Sequence, residues 1–165
     1  MFLIRILAKG TSMFIRQALI TDAEHISLVL HKSIRELCVL DHGQDPLTID
    51  QWLDNKKPEN VRSWIEAPSQ RILVAENEGG IIGVGGVSHA GKITLNYVSP
   101  NARFQGVSKS ILTALETYSR EAGNIACTLL STRTAHPFYT SAGYREIGEP
   151  EYWGKLIGYP MKKSL

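Results

Sequence analysis

Residues 71–98 constrain this chain most. Three apolar runs follow one another there, Arg71–Glu76, Ile81–Ser88 and Lys92–Val98. They are separated only by Asn77-Glu78-Gly79-Gly80 and His89-Ala90-Gly91. Glycines in such turns supply positive φ. Connections this short join only neighbouring antiparallel strands, so the stretch is an antiparallel meander. The middle run carries Gly83, Gly85 and Gly86. Glycine inside a strand marks a bulge or a close approach by another element.

The flanks switch to helical spacing. Phe14–Leu19 is a short candidate strand. Thr21 and Glu24 then form a capping-box pattern, followed by Ile26, Val29, Leu30, Leu37 and Cys38 on one face, which predicts a helix over 22–38. Asp41–Pro46 reads as loop, and Thr48 with Gln51 as a second capping box opening a helix with Trp52 and Leu53. Pro58 ends or restarts it, and Val61, Trp64 and Ile65 give a further helical face. After the meander, Val107, Ile111, Leu112, Leu115 and Tyr118 share one face of a helix over 106–122, with Gly123 at its C′ position. A strand over 125–130, a short helix over 135–141 stopped by Gly143, and closing strands at 144–147 and 156–161 complete the order. Pro160 is expected to hold the last strand at an edge or an end.

Composition narrows the function classes. The chain has 165 residues, 43% hydrophobic and 21% charged, with a net charge of +2. That suits one globular domain and gives no basic platform for nucleic acid. Neither a repeat nor a low-complexity linker divides it. Cys38 and Cys127 form no CxxC or Cys/His cluster, so no metal site is expected and both read as buried free thiols. The apolar patch in residues 1–10 is interrupted by Arg5 and is too short to span a membrane. No membrane segment and a cytoplasmic location are the expectation. Residues 1–12 read as an N-terminal extension or an added strand, with a single domain over 13–165.

Two segments carry chemistry. Val98–Lys109 joins a strand to an amphipathic helix through Arg103-Phe104-Gln105-Gly106-Val107-Ser108. Free amides at a helix start cradle anions, Gly106 lets a phosphate approach the backbone, and Arg103 and Lys109 add charge. Neither a Walker A loop nor a GxGxxG fingerprint is present. One strand later come Ala135, Phe138, Tyr139, Gly143 and Tyr144.

Together these segments resemble the GNAT superfamily of acyl-CoA-dependent N-acyltransferases. Its cofactor-loop pattern [RQ]-x-x-G-x-[GA] is met by Arg103, Gly106 and Ser108, serine standing for the usual small residue. Its later pattern A-x-x-F-Y-x-x-x-G-[FY] is met by Ala135, Phe138, Tyr139, Gly143 and Tyr144. The resemblance spans about residues 13–163. It implies an α/β (α+β) fold: a mixed, mostly antiparallel twisted sheet of six or seven strands with about four helices. It also implies acetyl-CoA as co-substrate. The loop Arg103, Phe104, Gln105, Gly106, Val107, Ser108 and Lys109 would hold the pyrophosphate. The backbones of Tyr97 and Val98 would pair with the pantetheine arm, an amide near Val98 would polarise the thioester, and Phe138 would line the arm's site. Thr132 stands where many members carry an Asn that touches the arm.

Catalytic roles follow from the same resemblance. Tyr139 matches the residue that protonates the departing thiolate. An amine acceptor must also lose a proton. The glutamate that many members place at the start of the strand holding Tyr97 is replaced by Lys92, leaving Glu76 and His89 as candidate bases. Asn96 could orient a water. The acceptor groove implied by the family lies near His31, Arg35, Asp41, His42, Asp45, Trp52, Tyr152 and Trp153, without identifying the small-molecule or peptide amine. The expected activity is transfer of an acetyl group from acetyl-CoA to a primary amine. The alternative is a catalytically weak acyl-CoA-binding module of the same fold. An RNA-binding domain using Arg103, Lys109 and Arg133 fits the near-neutral charge poorly. Homodimerisation is common in the family, and nothing in the sequence requires or forbids it.

Overall fold

The computed structural model describes residues 3–8 and 11–165. Strand β1 (Leu3–Ala8) pairs antiparallel with β2 (Thr11–Gln17). Helices α1 (Ala23–Leu37), α2 (Val39–His42), α3 (Pro46–Leu53) and α4 (Pro58–Glu66) follow. The meander is β3 (Gln70–Asn77), β4 (Gly80–Ser88) and β5 (Ile93–Val98). Then come α5 (Val107–Glu121), β6 (Ala126–Ser131), α6 (His136–Ser141), β7 (Arg145–Glu146), β8 (Glu151–Trp153) and β9 (Leu156–Ser164). Strands β1–β5 form one antiparallel sheet in sequence order. In the second sheet β9 is central, between β6 and β7, and also pairs with β8. A parallel bridge between Lys92 and Thr128 links the two sheets. The expected α+β class and mostly antiparallel sheet are what the chain adopts.

Two apolar layers sandwich the first sheet. The run Ile72–Ala75 is buried on both faces. Ile72 and Val74 pack with Ile26, Leu30 and Val61 of α1 and α4, whereas Leu73 and Ala75 pack with Ile111 and Leu115 of α5. The glycines of β4 set how closely α5 approaches. A Cβ on Gly83 would stand 2.7 Å from Ile111 Cδ1 and 2.8 Å from Val107 Cγ1, and one on Gly85 would overlap Ile111 Cγ2. The ladder between β4 and β5 also bulges between Gly86 and Val87. Both sequence expectations for these glycines therefore hold.

Local details depart from the sequence reading. The Thr21–Glu24 capping box does not form. Residues Ile20–Asp22 make a 3-10 turn, Glu24 pairs with Arg62, and the Asp22 carboxylate accepts from the Leu19 amide (2.7 Å). The second helix starts at Pro46 rather than after Thr48, because Asp45 is its cap and accepts from the Thr48 amide (3.0 Å). Asp41 and His42, expected in a loop, form the one-turn helix α2. Pro160 sits in a central strand, not at an edge. Its carbonyl accepts from the Ile147 amide (3.0 Å), so its nitrogen faces the same side, beyond the last β7–β9 pair at Glu146, where no ladder donor is needed. Among the described residues no helix is long and apolar enough to cross a membrane, and no His/Cys/Asp/Glu group could hold a metal. Both cysteines are buried free thiols.

A methyl group at Gly85 has no room beneath α5. Gly85→Ala is expected to lower unfolding free energy by about 1–3 kcal/mol, the usual cost of overpacking. Gly148, with nothing within 4 Å of an added Cβ, is the control. Gly148→Ala should leave the urea midpoint unchanged.

Candidate active site

Beyond the Lys92–Thr128 bridge, β5 and β6 diverge. The Ser99 amide donates to Ile82 on β4 (2.8 Å), so alternation along the strand turns the backbone groups of Asn96 and Val98 toward the gap. A cavity of about 490 Å³ fills this gap, walled by Leu95–Val98, Leu129, Leu130 and Phe138. The start of α5 lies at its edge. Gly106 caps that helix at φ +79° with no side-chain cap, leaving the first-turn amides free of helical partners. Phe104 also takes a positive φ, +62°, and its exposed ring lies under the Arg103 guanidinium at 4.5 Å. Arg103 and Lys109 are the charged side chains lining the cavity.

Of the residues picked from sequence, Tyr97, Val98, Arg103, Phe104, Gly106, Val107, Ser108, Lys109, Thr132, Phe138 and Tyr139 all line this cavity. Gln105 does not; its side-chain amide donates to the Asn101 carbonyl (3.2 Å). Glu76 and His89 also lie off it. Glu76 accepts from Arg16 Nε (2.7 Å), and His89 packs edge-on against Tyr118. Among the described residues no carboxylate or imidazole lines the cavity. Ser33 and Leu37 of α1, with Cys38 just after it, also line the cavity. Their only signal was the helical face that carries Cys38.

Tyr139 is 6% exposed. Burial pushes its phenol above the ordinary value of about 10, and the Asn96 amide offsets part of the rise. Asn96 Nδ2 donates to the Ser108 carbonyl (3.3 Å), while its Oδ1 is buried without a partner. Burial, reinforced by Cys38, also raises the Tyr97 phenol, against which the Trp52 indole acts. The Cys38 thiol is pushed up to about 12, first by burial and then by Asp41, so it is not a thiolate at neutral pH. Thr132 Oγ1 accepts from the Ala135 amide (3.1 Å), leading the chain into α6.

A second chamber of about 160 Å³ shares Tyr97, Leu130 and Thr132 with the first. Trp52, Trp153 and Asp41 also line it. His42, expected near an acceptor, is structural instead: its Nε2 meets the Ile34 carbonyl (2.9 Å) and its Nδ1 accepts from the Gln44 amide (3.0 Å). His31 contacts the Lys56 carbonyl, and Asp45 holds Lys155 (3.2 Å) as well as capping α3. Arg35 and Tyr152 line neither cavity.

The cavity's contents suit a long acylated phosphate carrier. Free amides and two cations stand at one end, an apolar tunnel with an open strand edge follows, and a protonated phenol lies within.

No curated protein sequence matches the chain. Among solved structures, a GCN5-related N-acetyltransferase from Rhodopseudomonas palustris superposes with TM-score 0.83 at 20% identity, covering 97% of this chain and 99% of that one. The PaiA N-acetyltransferase from Thermoplasma acidophilum, in complex with coenzyme A, gives 0.78 at 18% identity, covering 93% and 99%. An aminoglycoside 6'-N-acetyltransferase complexed with coenzyme A gives 0.69 at 14% identity, covering 91% and 96%. At these identities the likeness speaks to the fold. Residues 38–165 match the family described as "Acetyltransferase (GNAT) domain". That match covers both sequence segments and every strand from β3 onward, and the chain belongs to the GNAT acetyltransferase family.

Proposed function

We propose that the protein transfers an acetyl group from acetyl-CoA to a primary amine by direct attack in a ternary complex. The observation that carries this is the joining of three features in one cavity: the uncapped start of α5 with Arg103 and Lys109, the free edge of β5, and the buried Tyr139. The amides of Gly106–Lys109 and the two cations would hold the pyrophosphate. The edge groups of Asn96 and Val98 would pair with the pantetheine as an added strand, with the Val98 amide donating to the thioester oxygen. Phe138 would pack against the arm.

An alkylammonium loses a proton to water or a nearby base before it attacks. The neutral nitrogen then forms a C–N bond with the acetyl carbon, and the C–S bond breaks. The second nitrogen proton leaves as sulfur is protonated, giving an amide and CoA thiol. Tyr139 faces the sulfur in this reading. Because burial raises its phenol, and a thiol has a pKa near 8.5, complete proton transfer from phenol to thiolate is uphill. Its first contribution is a hydrogen bond to the charge growing on sulfur, with the proton supplied in net terms by the amine. Glu76, held by Arg16, and His89, at the far turn, lie off this path, so the first proton passes to water or to a group in the second chamber.

Tyr139→Phe is expected to lower kcat about 100-fold, the usual cost of losing one positioned hydrogen-bond donor to developing charge, and to leave the acetyl-CoA Kd within about twofold. A kcat equal to wild type removes Tyr139 from the chemistry. If wild type binds acetyl-CoA but no amine releases CoA, the chain is an acyl-CoA-binding module. Arg103→Ala is expected to weaken CoA binding about tenfold in calorimetry at low salt, with a smaller loss at high salt.

A further inference from the structure

The second chamber holds an anion that the fold does not neutralise. Asp41 is 8% exposed and makes no ion pair among the described residues. Its Oδ1 accepts from the Arg133 amide (2.7 Å), and its Oδ2 from the Thr134 amide (3.3 Å) and hydroxyl (2.5 Å). A carboxylate offers about four acceptor positions, so one on Oδ1 remains. Trp52, Tyr97, Trp153, Leu156 and Ile157 line the same chamber, and among the described residues Asp41 is the one charged residue in this lining. A buried carboxylate without a cation is costly, and the remaining acceptor position can take one from a ligand.

We propose that this chamber is the acceptor site and that it takes a small monoamine with an apolar or aromatic body. This rests on the acetyl-transfer reading above. The ammonium docks on Asp41 Oδ1, and the body lies against the Trp52 and Trp153 rings. The wall of this chamber of about 160 Å³ is mostly apolar, formed by Trp52, Trp153, Leu156 and Ile157, which suits the body of a small amine better than the polar backbone of a peptide. A diamine or polyamine would bring a second ammonium into an aromatic wall with no second carboxylate. The shared wall of Tyr97 and Thr132 puts the docked nitrogen next to the acyl cavity. Pairing with Asp41 favours the charged ammonium, so the first proton leaves to water as the nitrogen moves toward the acyl cavity, and the neutral amine then attacks as described above.

The test measures CoA release from acetyl-CoA with an arylalkyl monoamine, an alkyl diamine of matched length and a short peptide with a free N-terminus. It also measures binding of the same amines to CoA-saturated protein by calorimetry. The monoamine is expected to show at least about tenfold higher kcat/KM than the other two. Asp41→Asn is expected to raise its KM about tenfold or more and, because one acceptor for the Arg133–Thr134 loop is lost, to lower Tm; an acetyl-CoA Kd within about twofold of wild type then separates amine binding from collapse of the site. Trp153→Ala, at a half-exposed hairpin position, should raise the same KM about fivefold and carries the test if Asp41→Asn fails to fold. CoA release that favours the diamine or peptide, or a KM that neither variant moves, overturns the site and leaves acetyl transfer standing. Asp41-dependent monoamine binding without any CoA release overturns acetyl transfer and leaves the site standing.

Discussion

The seating of α5 on the glycine track of β4 is the contact on which the rest of the molecule depends. Ile111 and Leu115 reach the strand where Gly83 and Gly85 present no side chain. The helix axis is thereby brought close to the sheet, and the position of its first turn follows. Gly106–Lys109 then stand beside the end of β5, where the backbone edge is open. At the other end, Glu116 accepts from the Tyr144 hydroxyl (2.9 Å) and from Lys163 (2.9 Å), which ties the same helix to β9 and to the link that follows α6. One helix thus fixes the anion cradle, the tunnel and the segment bearing Tyr139 relative to one another.

Charge is divided along the two chambers. Arg103, Lys109 and the free amides make one end positive, the middle is apolar, and the second chamber carries the single carboxylate of Asp41. The phenols of Tyr97 and Tyr139 and the thiol of Cys38 all titrate higher because they are buried, so they remain neutral near pH 7. The interior therefore separates two charged ends with groups that hold their protons.

The sequence made some of this legible because local rules decide it. The meander follows from two glycine turns, and the α5 start from a glycine before an amphipathic run. Residues chosen on those grounds fall in the cavity, with Gln105 turned aside to Asn101. What was hidden depends on pairing over long separations. Glu76 reads as a free acid until pairing with β2 brings Arg16, diagonal to it across the ladder, within reach, and Ser33 and Leu37 carry no chemistry to announce that α1 closes the tunnel. Asp45 before Pro46 was a readable helix start, but the Thr48–Gln51 pattern competed with it. Pro160 misled because an edge is only one place where a strand needs no donor. The β8–β9 hairpin was open to discovery, since Gly154 at φ +56° follows the aromatic pair that it turns.

The seam between β5 and β6 has a mechanical consequence. Lys92–Thr128 is the single backbone bridge across it among the described residues, while Ile93, Leu129 and Met161 join the two sheets through shared apolar core. A hydrogen-bonded ladder would hold the sheets at one register and spacing. Apolar contact is non-directional, so it resists separation but offers little resistance to a small change of angle. The joint therefore holds by packing rather than by a ladder where the cavity lies. A chain bound along the free edge of β5 would supply the backbone hydrogen bonds that the seam lacks.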